Sequence, residues 1–258
     1  MNHLLGATGR KTFHAFYHIS RLFALSYHML RLVFFRPKTG RVVVKKIVLE
    51  QIYFTAVQAL PIIVPIALIL GTMIIIQFSK FTGQINLGRI TVLIILRELG
   101  PVITAFLIIL RSATAVTIEI SYMNVFHEMD ALEMLGVDPF WMVCVPRLIG
   151  ITTAVLCLFI VFDIVAILGG YAVVWMVTYI YLGDYLLQIA NAISGADIVV
   201  GIIKAVLFGI TITVTCLYHG LNTHRHITQI PVATSRAAVQ CFVYCIIINV
   251  FISTLFYL

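Results

Sequence analysis

Long hydrophobic stretches, rather than alternating apolar and polar positions, dominate this chain. Five stretches contain no Asp, Glu, Lys or Arg: residues 51–79, 148–162, 164–183, 205–224 and 237–258. A helix needs about 20 apolar residues to cross the hydrocarbon core of a bilayer. The pattern predicts an all-α membrane protein, with about five transmembrane helices at residues 52–78, 90–117, 148–178, 199–221 and 237–258.

The composition leaves little chain for a soluble catalytic domain. Of the 258 residues, 62% are hydrophobic and only 10% are charged, whereas charged residues make up about 25% of an average soluble domain. The sequence has no GxxxxGK[ST] phosphate-binding loop and no GxSxG nucleophile motif. We therefore expect a non-catalytic membrane protein with no cofactor of its own, unable to hydrolyse a nucleotide alone.

The spacing of histidines and cysteines predicts no metal site. His127 and Glu128 begin an HExxH pattern, but Ala131 stands where the second histidine is required. His224 and His226 supply only two ligands, which is too few for a zinc site. The five cysteines form no CxxC pair, and buried cysteines usually pack as small hydrophobic residues.

The first 50 residues form a basic segment ahead of the first predicted span. Nine Lys and Arg residues lie there, and Glu50 is the only acid. The positive-inside rule places this end in the cytoplasm, and five spans then place the C-terminus outside. Aromatic residues interleaved with bases predict an interfacial helix, whose expected partner is an anionic leaflet rather than a nucleic acid. We expect residues 1–50 to be this segment and residues 51–258 to be the transmembrane domain.

Prolines interrupt two of the predicted spans. Pro61 and Pro65 lie in the first span, and Gly100–Pro101 lies in the second. Proline removes a backbone donor and kinks a helix, and in a membrane neighbouring groups must satisfy the freed carbonyl oxygens. These positions are therefore the predicted hinges.

An acidic segment, residues 119–147, separates the second and third predicted spans on the cytoplasmic side. Within it, Val125, Met129 and Leu132 follow the i, i+4, i+7 spacing of one helix face, and Gly136 is a typical helix stop. The acids beside and after this stripe are Glu128, Asp130, Glu133 and Asp138. Two interpretations stay open: a linker helix folded back on the bundle, or a helix whose acidic rim and apolar ridge dock in a groove of a soluble partner.

Charged residues also fall inside the predicted spans, notably Arg97, Glu98, Asp163 and Lys204. A charge at the bilayer centre costs at least about 2.5 kcal/mol on insertion scales. These residues are either interfacial anchors and structural ion pairs, or a polar lining that meets the head group of an amphiphile. A second functional class also stays open, namely a secondary transporter or channel that uses Glu98 and Asp163 as proton carriers without an ATPase.

Several motifs in order along the chain resemble one family. They are QIYFTAVQALPI (51–62), RELGPVITAFL (97–107), RSATA (111–115), HEMDALEMLGVDP (127–139), VPRL (145–148) and ATSRAAV (233–239). Together they resemble the MlaE/YrbE permeases, the membrane subunits of MCE-associated bacterial ABC transporters. The chain departs from the family pattern where Ala113, Ser121 and Tyr122 replace Gly, Gly and Thr, and where Asn249 replaces a common Asp.

The resemblance implies a transporter subunit of the bacterial inner membrane, with a cytoplasmic N-terminus and a periplasmic C-terminus. Two permease copies, in a homodimer or a heterodimer, would form the core, and a cytosolic ABC ATPase would hold the ATP and Mg. Lipid, typically phospholipid, would pass to or from a periplasmic MCE-domain protein. Each copy would bind the ATPase through the cytoplasmic helix between spans two and three, and by position the coupling segment 119–147 includes Glu119, Glu128, Asp130, Ala131, Leu132, Leu135, Gly136 and Asp138. Arg97, Glu98, Lys204 and Asp163 are the candidate substrate path.

Overall fold

The computed structural model describes residues 20–34, 40–82, 91–176, 182–223 and 226–257, together with Tyr17 and Arg89. Within these ranges the chain forms helices and turns and no strand. Five of the described helical segments are long and apolar enough to cross a membrane: Arg41–Phe78, Val92–Val125, Phe140–Val173, Gly195–Leu221 and Ile227–Phe256. The prediction of an all-α membrane protein with five spans is confirmed.

We number the helices α1 to α9. The first, α1, covers residues 20–34, and the others are α2 (Arg41–Thr55), α3 (Leu60–Thr82), α4 (Val92–Val125), α5 (Glu128–Met134), α6 (Phe140 to Trp175), α7 (Leu182–Ala192), α8 (Gly195–Leu221) and α9 (Ile230–Tyr257). Two spans contain π turns, at Val92–Leu99 and Ile109–Ala113 in α4 and at Phe140–Cys144 and Val165–Gly169 in α6.

Several helices extend beyond their predicted ends, because a charged residue near the end of an apolar run does not end the helix. The first span begins at Arg41, so the predicted boundary at residue 50 falls inside α2. The second and third spans extend to Val125 and back to Phe140, so most of the predicted coupling segment 119–147 is part of α4 or α6. Long charged side chains at helix ends reach water while their stems stay in apolar surroundings, so a charge does not end a helix.

Two predicted loops are partly helical. Residues 182–192 of the predicted loop 179–198 form α7, and α8 begins within it at Gly195. The predicted loop 222–236 ends early because α9 begins at Ile230. Residues 83–88, 177–181 and 224–225, with His224, lie outside the described residues, as do the first 16 residues of the basic segment.

The central helix is α6, which packs against α2, α3, α4 and α8. It crosses α3 where Gly71 meets Gly170: a Cβ on Gly170 would lie 2.7 Å from the carbonyl carbon of Gly71. It crosses α8 at Gly209, where a Cβ would lie 2.6 Å from Thr152 Cα. Small residues at these crossings let the backbones touch, which is the packing that drives helix association in a bilayer.

Two of the three prolines at the predicted hinges lie next to changes of helix geometry. The chain breaks between α2 and α3, at a turn over residues 56–59, and Pro61 follows as the second residue of α3. Pro65 lies inside α3. At Gly100–Pro101 α4 continues but changes its helix type, from the π turn Val92–Leu99 to an α-helix that begins at Gly100, and the role of this position as a hinge stays a prediction. A π turn shifts the hydrogen-bonding register by one residue, so the register changes just before Pro101.

Candidate functional site

The buried cation Lys204 lies at the centre of a hydrogen-bonded group within the membrane-spanning bundle. Its side chain is fully buried, and Nζ donates to the carbonyl oxygen of Arg97 and to Ser253 Oγ, both at 2.7 Å. In a regular α-helix the Arg97 carbonyl would accept from the N–H of residue 101, but Pro101 has none. Lys204 therefore supplies the donor that Pro101 lacks.

Glu98 is the anion of this group, and α9 contacts both of its carboxylate oxygens. Oε1 accepts from Ser253 Oγ at 2.7 Å, and Oε2 accepts from Asn249 Nδ2 at 2.8 Å. Lys204 Nζ lies 3.5 Å from Oε1. We call Glu98, Lys204, Asn249 and Ser253 the polar cluster; it joins α4, α8 and α9.

The side chain of Arg97 binds Asp197 at the start of α8. Arg97 Nε lies 2.9 Å from Asp197 Oδ1, and Nη2 donates to Oδ2 at 3.1 Å. Asp197 also accepts from the backbone N–H of Ser194, whose Oγ accepts from the N–H of Asp197. This reciprocal pair is a capping box, so one carboxylate begins α8 and fixes α4 to it.

A polar cavity of about 440 Å³ lies beside Arg97, between the start of α4 and α7. Its lining residues are Arg89, Leu93, Arg97, Gln188, Asn191 and Ala192. Two guanidinium groups and two amides give it donors and positive charge, a combination that suits a phosphate or carboxylate.

The position of α7 beside this cavity is set by an aromatic pair. The rings of Tyr171 on α6 and Tyr185 on α7 stack with centroids 4.8 Å apart. Burial raises the pKa of Tyr185 to about 12, so the ring stays neutral at physiological pH. The stack therefore holds α7 against the end of α6 through apolar contact.

Asp163 does not join the polar cluster. It is buried, and its Oδ1 has no hydrogen-bond partner among the described residues. That oxygen packs against Gly100, where a Cβ would collide with it. The predicted substrate-path residues therefore separate into three groups: Glu98 with Lys204, Arg97 with Asp197, and Asp163 with Gly100.

Arg111 is a second cation that donates to a backbone carbonyl oxygen at a helix break. Its Nη1 donates to the carbonyl oxygen of Phe54 at 2.8 Å, and its Nη2 donates to Gln58 Oε1 at 3.0 Å. Phe54 is the penultimate residue of α2, where the chain leaves the helix before α3. As with Lys204, the charge sits where a backbone acceptor needs a donor.

The helix α5, between the second and third spans, presents its acids to solvent. Its predicted apolar stripe faces the bundle: Met129 is 7% exposed and Leu132 packs against the core. The stripe packs against the bundle, so it is not the surface through which α5 would contact a partner. The large apolar side chains that remain exposed here are Met134 and Leu135, at 86% and 77%. The other exposed predicted residues are Glu128, Asp130, Ala131, Gly136 and Asp138.

Sharp turns set both ends of α5. His127, which precedes it, has a φ of 58°, and its Nδ1 lies 2.7 Å from Asp130 Oδ2. Gly136, which follows it, has a φ of 75°, a conformation that favours glycine. Asp138 Oδ1 then accepts from the N–H of Phe140 at 2.9 Å and begins α6.

An ion pair connects the two spans that flank α5. Arg147 Nη2 on α6 lies 2.6 Å from Glu119 Oε1 on α4, and Arg147 Nη1 donates to the carbonyl oxygen of Val143 at 2.8 Å. Glu119 therefore belongs to a span rather than to the helix between the spans, which corrects its predicted location. The pair ties α4 to α6 near the point where each meets α5.

The same end of α4 is also fastened to the end of α8. Asn124 Nδ2 donates to the carbonyl oxygens of Leu221 and Thr223, both at 2.9 Å. Ser121 Oγ lies 2.9 Å from Thr223 Oγ1, and both side chains are buried. These contacts connect the end of α4 next to α5 with the end of α8.

Sequence reasoning missed Asp197, Ser253 and the partner of Arg147. The S-x-x-D spacing of Ser194 and Asp197 could have identified the capping box. Ser253 carried no local signal, because a serine in an apolar helix is ordinary. Its importance depends on the packing of α9 against α4.

The family model described as Permease MlaE matches residues 48–255 of this chain. A probable ABC transporter permease protein of Rickettsia prowazekii is 28% identical over 215 residues, covering 82% of this chain and 83% of the relative. The intermembrane phospholipid transport system permease protein MlaE of Haemophilus influenzae is 32% identical over 199 residues, covering 75% and 76%. The chloroplastic protein TRIGALACTOSYLDIACYLGLYCEROL 1 of Arabidopsis thaliana is 26% identical, covering 81% of this chain and 61% of the relative.

Proposed function

This chain belongs to the MlaE permease family, and we propose that it is the transmembrane subunit of an ABC transporter that moves phospholipid or a related lipid. In this proposal the lipid passes between the bacterial inner membrane and a periplasmic MCE-domain partner. A separate cytosolic ATPase binds ATP and Mg and drives the movement. A second permease copy, identical or different, completes the core.

The observation that best supports this proposal is the way α5 is held: its acids are exposed, and the spans on either side of it are connected to each other. Its exposed acids would steer a basic groove of the ATPase toward it, and Met134 with Leu135 would supply apolar contact. The ion pair of Glu119 with Arg147 and the contacts of Asn124 would pass motion of α5 to the spans. ATP-driven closure needs such a packed element with two arrangements.

The proposed orientation places the polar groups toward the periplasm. With a cytoplasmic basic N-terminus, α4 begins outside and α5 lies inside. Arg97 and Glu98 are then within about 11 Å of the outer end of α4, at 1.5 Å per residue. The cavity lined by Arg89 and Arg97 also opens on this side, where the MCE partner would meet the permease.

The positive cavity is the candidate site for the lipid head group. Arginine binds phosphate through two parallel hydrogen bonds, and Arg97 is oriented by Asp197. The acyl chains would lie on the apolar faces of the first, second and fifth spans. The polar cluster of Glu98 and Lys204 then holds α9 against α4 at the level of the head group.

Mass spectrometry of the complex extracted gently from its native membrane tests this proposal. We expect an ABC ATPase, an MCE protein and bound phospholipid to co-purify with the permease. The double variant Glu128→Lys with Asp130→Lys should lose the ATPase, whereas the control Glu50→Lys, on the exposed face of α2, should retain it. Retained ATPase with normal ATP turnover in the double variant would contradict the docking of α5.

A further inference from the structure

An apolar groove lies between α1 and the last two spans. It has a volume of about 340 Å³, and its lining includes Leu22 and Phe23 from α1, Ile210 and Val214 from α8, and Ile247 and Ile248 from α9. We call it the α1 groove. It is separate from the cavity at Arg97 and shares no lining residue with it.

A cation lies beside the α1 groove, next to the lining residue Leu22, although it is not itself part of the lining. Arg21 precedes Leu22 on α1, and its Nη2 donates to the hydroxyl of Tyr17 at 2.7 Å, with the guanidinium 4.5 Å from the centre of that ring. Hydrogen bonding to Tyr17 and Tyr218 raises the pKa of Arg21. Arg21 is exposed, so a charged group from outside the chain can reach it.

The apolar lining of the groove and the residue that bonds to Arg21 follow one another along α8. Ile210, Val214 and Tyr218 are spaced four residues apart and lie on one face of this helix. The groove lining on α8 runs from Ile210 to Thr215, and Tyr218, which bonds to Arg21, lies about 12 Å from Ile210 along the axis, at 1.5 Å per residue. Tyr218 is three residues before Leu221, the end of α8, so the cation lies at the membrane surface and the apolar lining reaches toward the middle of the membrane.

We propose that the α1 groove binds one anionic phospholipid of the leaflet that contacts α1, with an acyl chain against Val214 and Ile248 and its phosphate at Arg21. Because this chain spans a membrane, lipid acyl chains surround its apolar surface. The lining of the groove is mostly apolar, so an acyl chain fits its chemistry. The charge of Arg21 selects an anionic head group over a zwitterionic one. The bound lipid links α1 to α8 and α9, and it is distinct from a transported lipid at Arg97.

Native mass spectrometry of the purified permease tests this site. Delipidated protein is titrated with phosphatidylglycerol or with phosphatidylethanolamine of the same acyl chains. We expect one phosphatidylglycerol to bind with about tenfold preference, since a contact of roughly 1.4 kcal/mol corresponds to that ratio. Arg21→Ala should reduce the preference to below about twofold. Ser26→Phe, which fills the groove from α1, should weaken the binding of both lipids.

The matched control is Arg31→Ala, which removes an exposed base of the same helix ten residues after Arg21, where neither neighbour in the chain lines the groove. It should behave as the unmodified chain. Equal loss in Arg21→Ala and Arg31→Ala, or equal binding of both lipids to the unmodified chain, would overturn the proposal. If Ser26→Phe instead dissociates a dimer and leaves the lipid count unchanged, the groove is a protein interface. If the transport function is correct but the α1 groove is not a lipid site, the ATPase will co-purify normally and Arg21→Ala will not change the lipid preference.

Discussion

Lys204 Nζ donates to the carbonyl oxygen of Arg97, 2.7 Å away, at the turn where Pro101 has no N–H to offer. A lysine on one span thus replaces a backbone donor missing from another. The same cation also reaches Ser253 and Glu98, so its charge and its hydrogen-bonding capacity are both satisfied. This relationship explains how a fully buried lysine is tolerated among membrane helices.

Replacement of Lys204 by methionine should destabilise the bundle. Removing one partner of a fully buried ion pair costs about 3–5 kcal/mol, and we expect roughly 2 kcal/mol here because the Glu98 side chain is 41% exposed. Thermal unfolding in detergent should show a lower midpoint. Lys46→Met, at a side chain that is 79% exposed, should leave the midpoint unchanged.

The double-mutant cycle of Lys204→Met with Pro101→Ala isolates the backbone contact. Alanine restores an N–H that can bond to the Arg97 carbonyl, so the double variant should recover at least about 0.5 kcal/mol relative to strict additivity. Purely additive effects would mean that Lys204 acts only through Glu98 and Ser253.

Asp197 should contribute more to stability than an ordinary helix-start acid. It caps α8 with Ser194 and binds Arg97 through both oxygens. Loss of a cap alone costs about 1 kcal/mol, so Asp197→Ala should exceed the cost of Ser194→Ala by roughly another 1 kcal/mol or more. Asp184→Ala is the control, because Asp184 is an exposed acid in the first turn of α7. Equal effects of Asp197→Ala and Ser194→Ala on the unfolding midpoint would rule out a contribution from Arg97.

The ion pair of Glu119 with Arg147 should affect transmission between α5 and the spans, without affecting ATPase binding. Glu119→Lys removes the carboxylate that lies 2.6 Å from Arg147 Nη2 and puts a cation in its place, so the ion pair between the flanking spans is lost and like charges repel there. We expect the ATPase to co-purify normally while lipid transport per ATP hydrolysed falls about tenfold, as for a loss of roughly 1.4 kcal/mol. The swap Glu119→Arg with Arg147→Glu should restore part of the coupling. Lost ATPase binding in Glu119→Lys would instead mean that the pair holds α5 itself in place.

The two apolar surfaces of α5 should separate stability from docking. Met129→Ala removes a buried side chain and should cost about 2 kcal/mol or more. Met134→Ala with Leu135→Ala trims exposed side chains and should leave the unfolding midpoint unchanged. Only the second variant should weaken co-purification of the ATPase in proportion to the area lost. The docking surface would have to lie elsewhere if that variant bound the ATPase normally.

The sequence predicted the spans well because a run of apolar residues is itself the physical requirement for crossing a bilayer. The i, i+4, i+7 spacing correctly predicted an apolar stripe on α5. Periodicity shows that such a face exists but not what it contacts. Only the structure shows that Met129 faces the bundle. Asp197 lies just before the predicted span 199–221, whereas in the structure it caps α8, because one polar turn at a helix start interrupts the apolar run without ending the helix. The contact of Lys204 with the Arg97 carbonyl joins residues 107 positions apart, and local patterns carry no information on such pairs.

The crossing of α3 and α6 provides the most stringent test of the packing. A Cβ on Gly71 would collide with the backbone of Ala166, and a backbone cannot yield as the end of a flexible side chain can. Gly71→Ala should therefore separate the two helices and lower the unfolding midpoint, although alanine ordinarily favours a helix over glycine by about 1 kcal/mol. The matched control is Gly195→Ala at the start of α8, where a Cβ meets nothing within 4 Å. That variant should keep or raise the midpoint, since it gains helix propensity without a clash. A midpoint that rose equally in both variants would show that α3 and α6 do not touch at Gly71 in the folded protein.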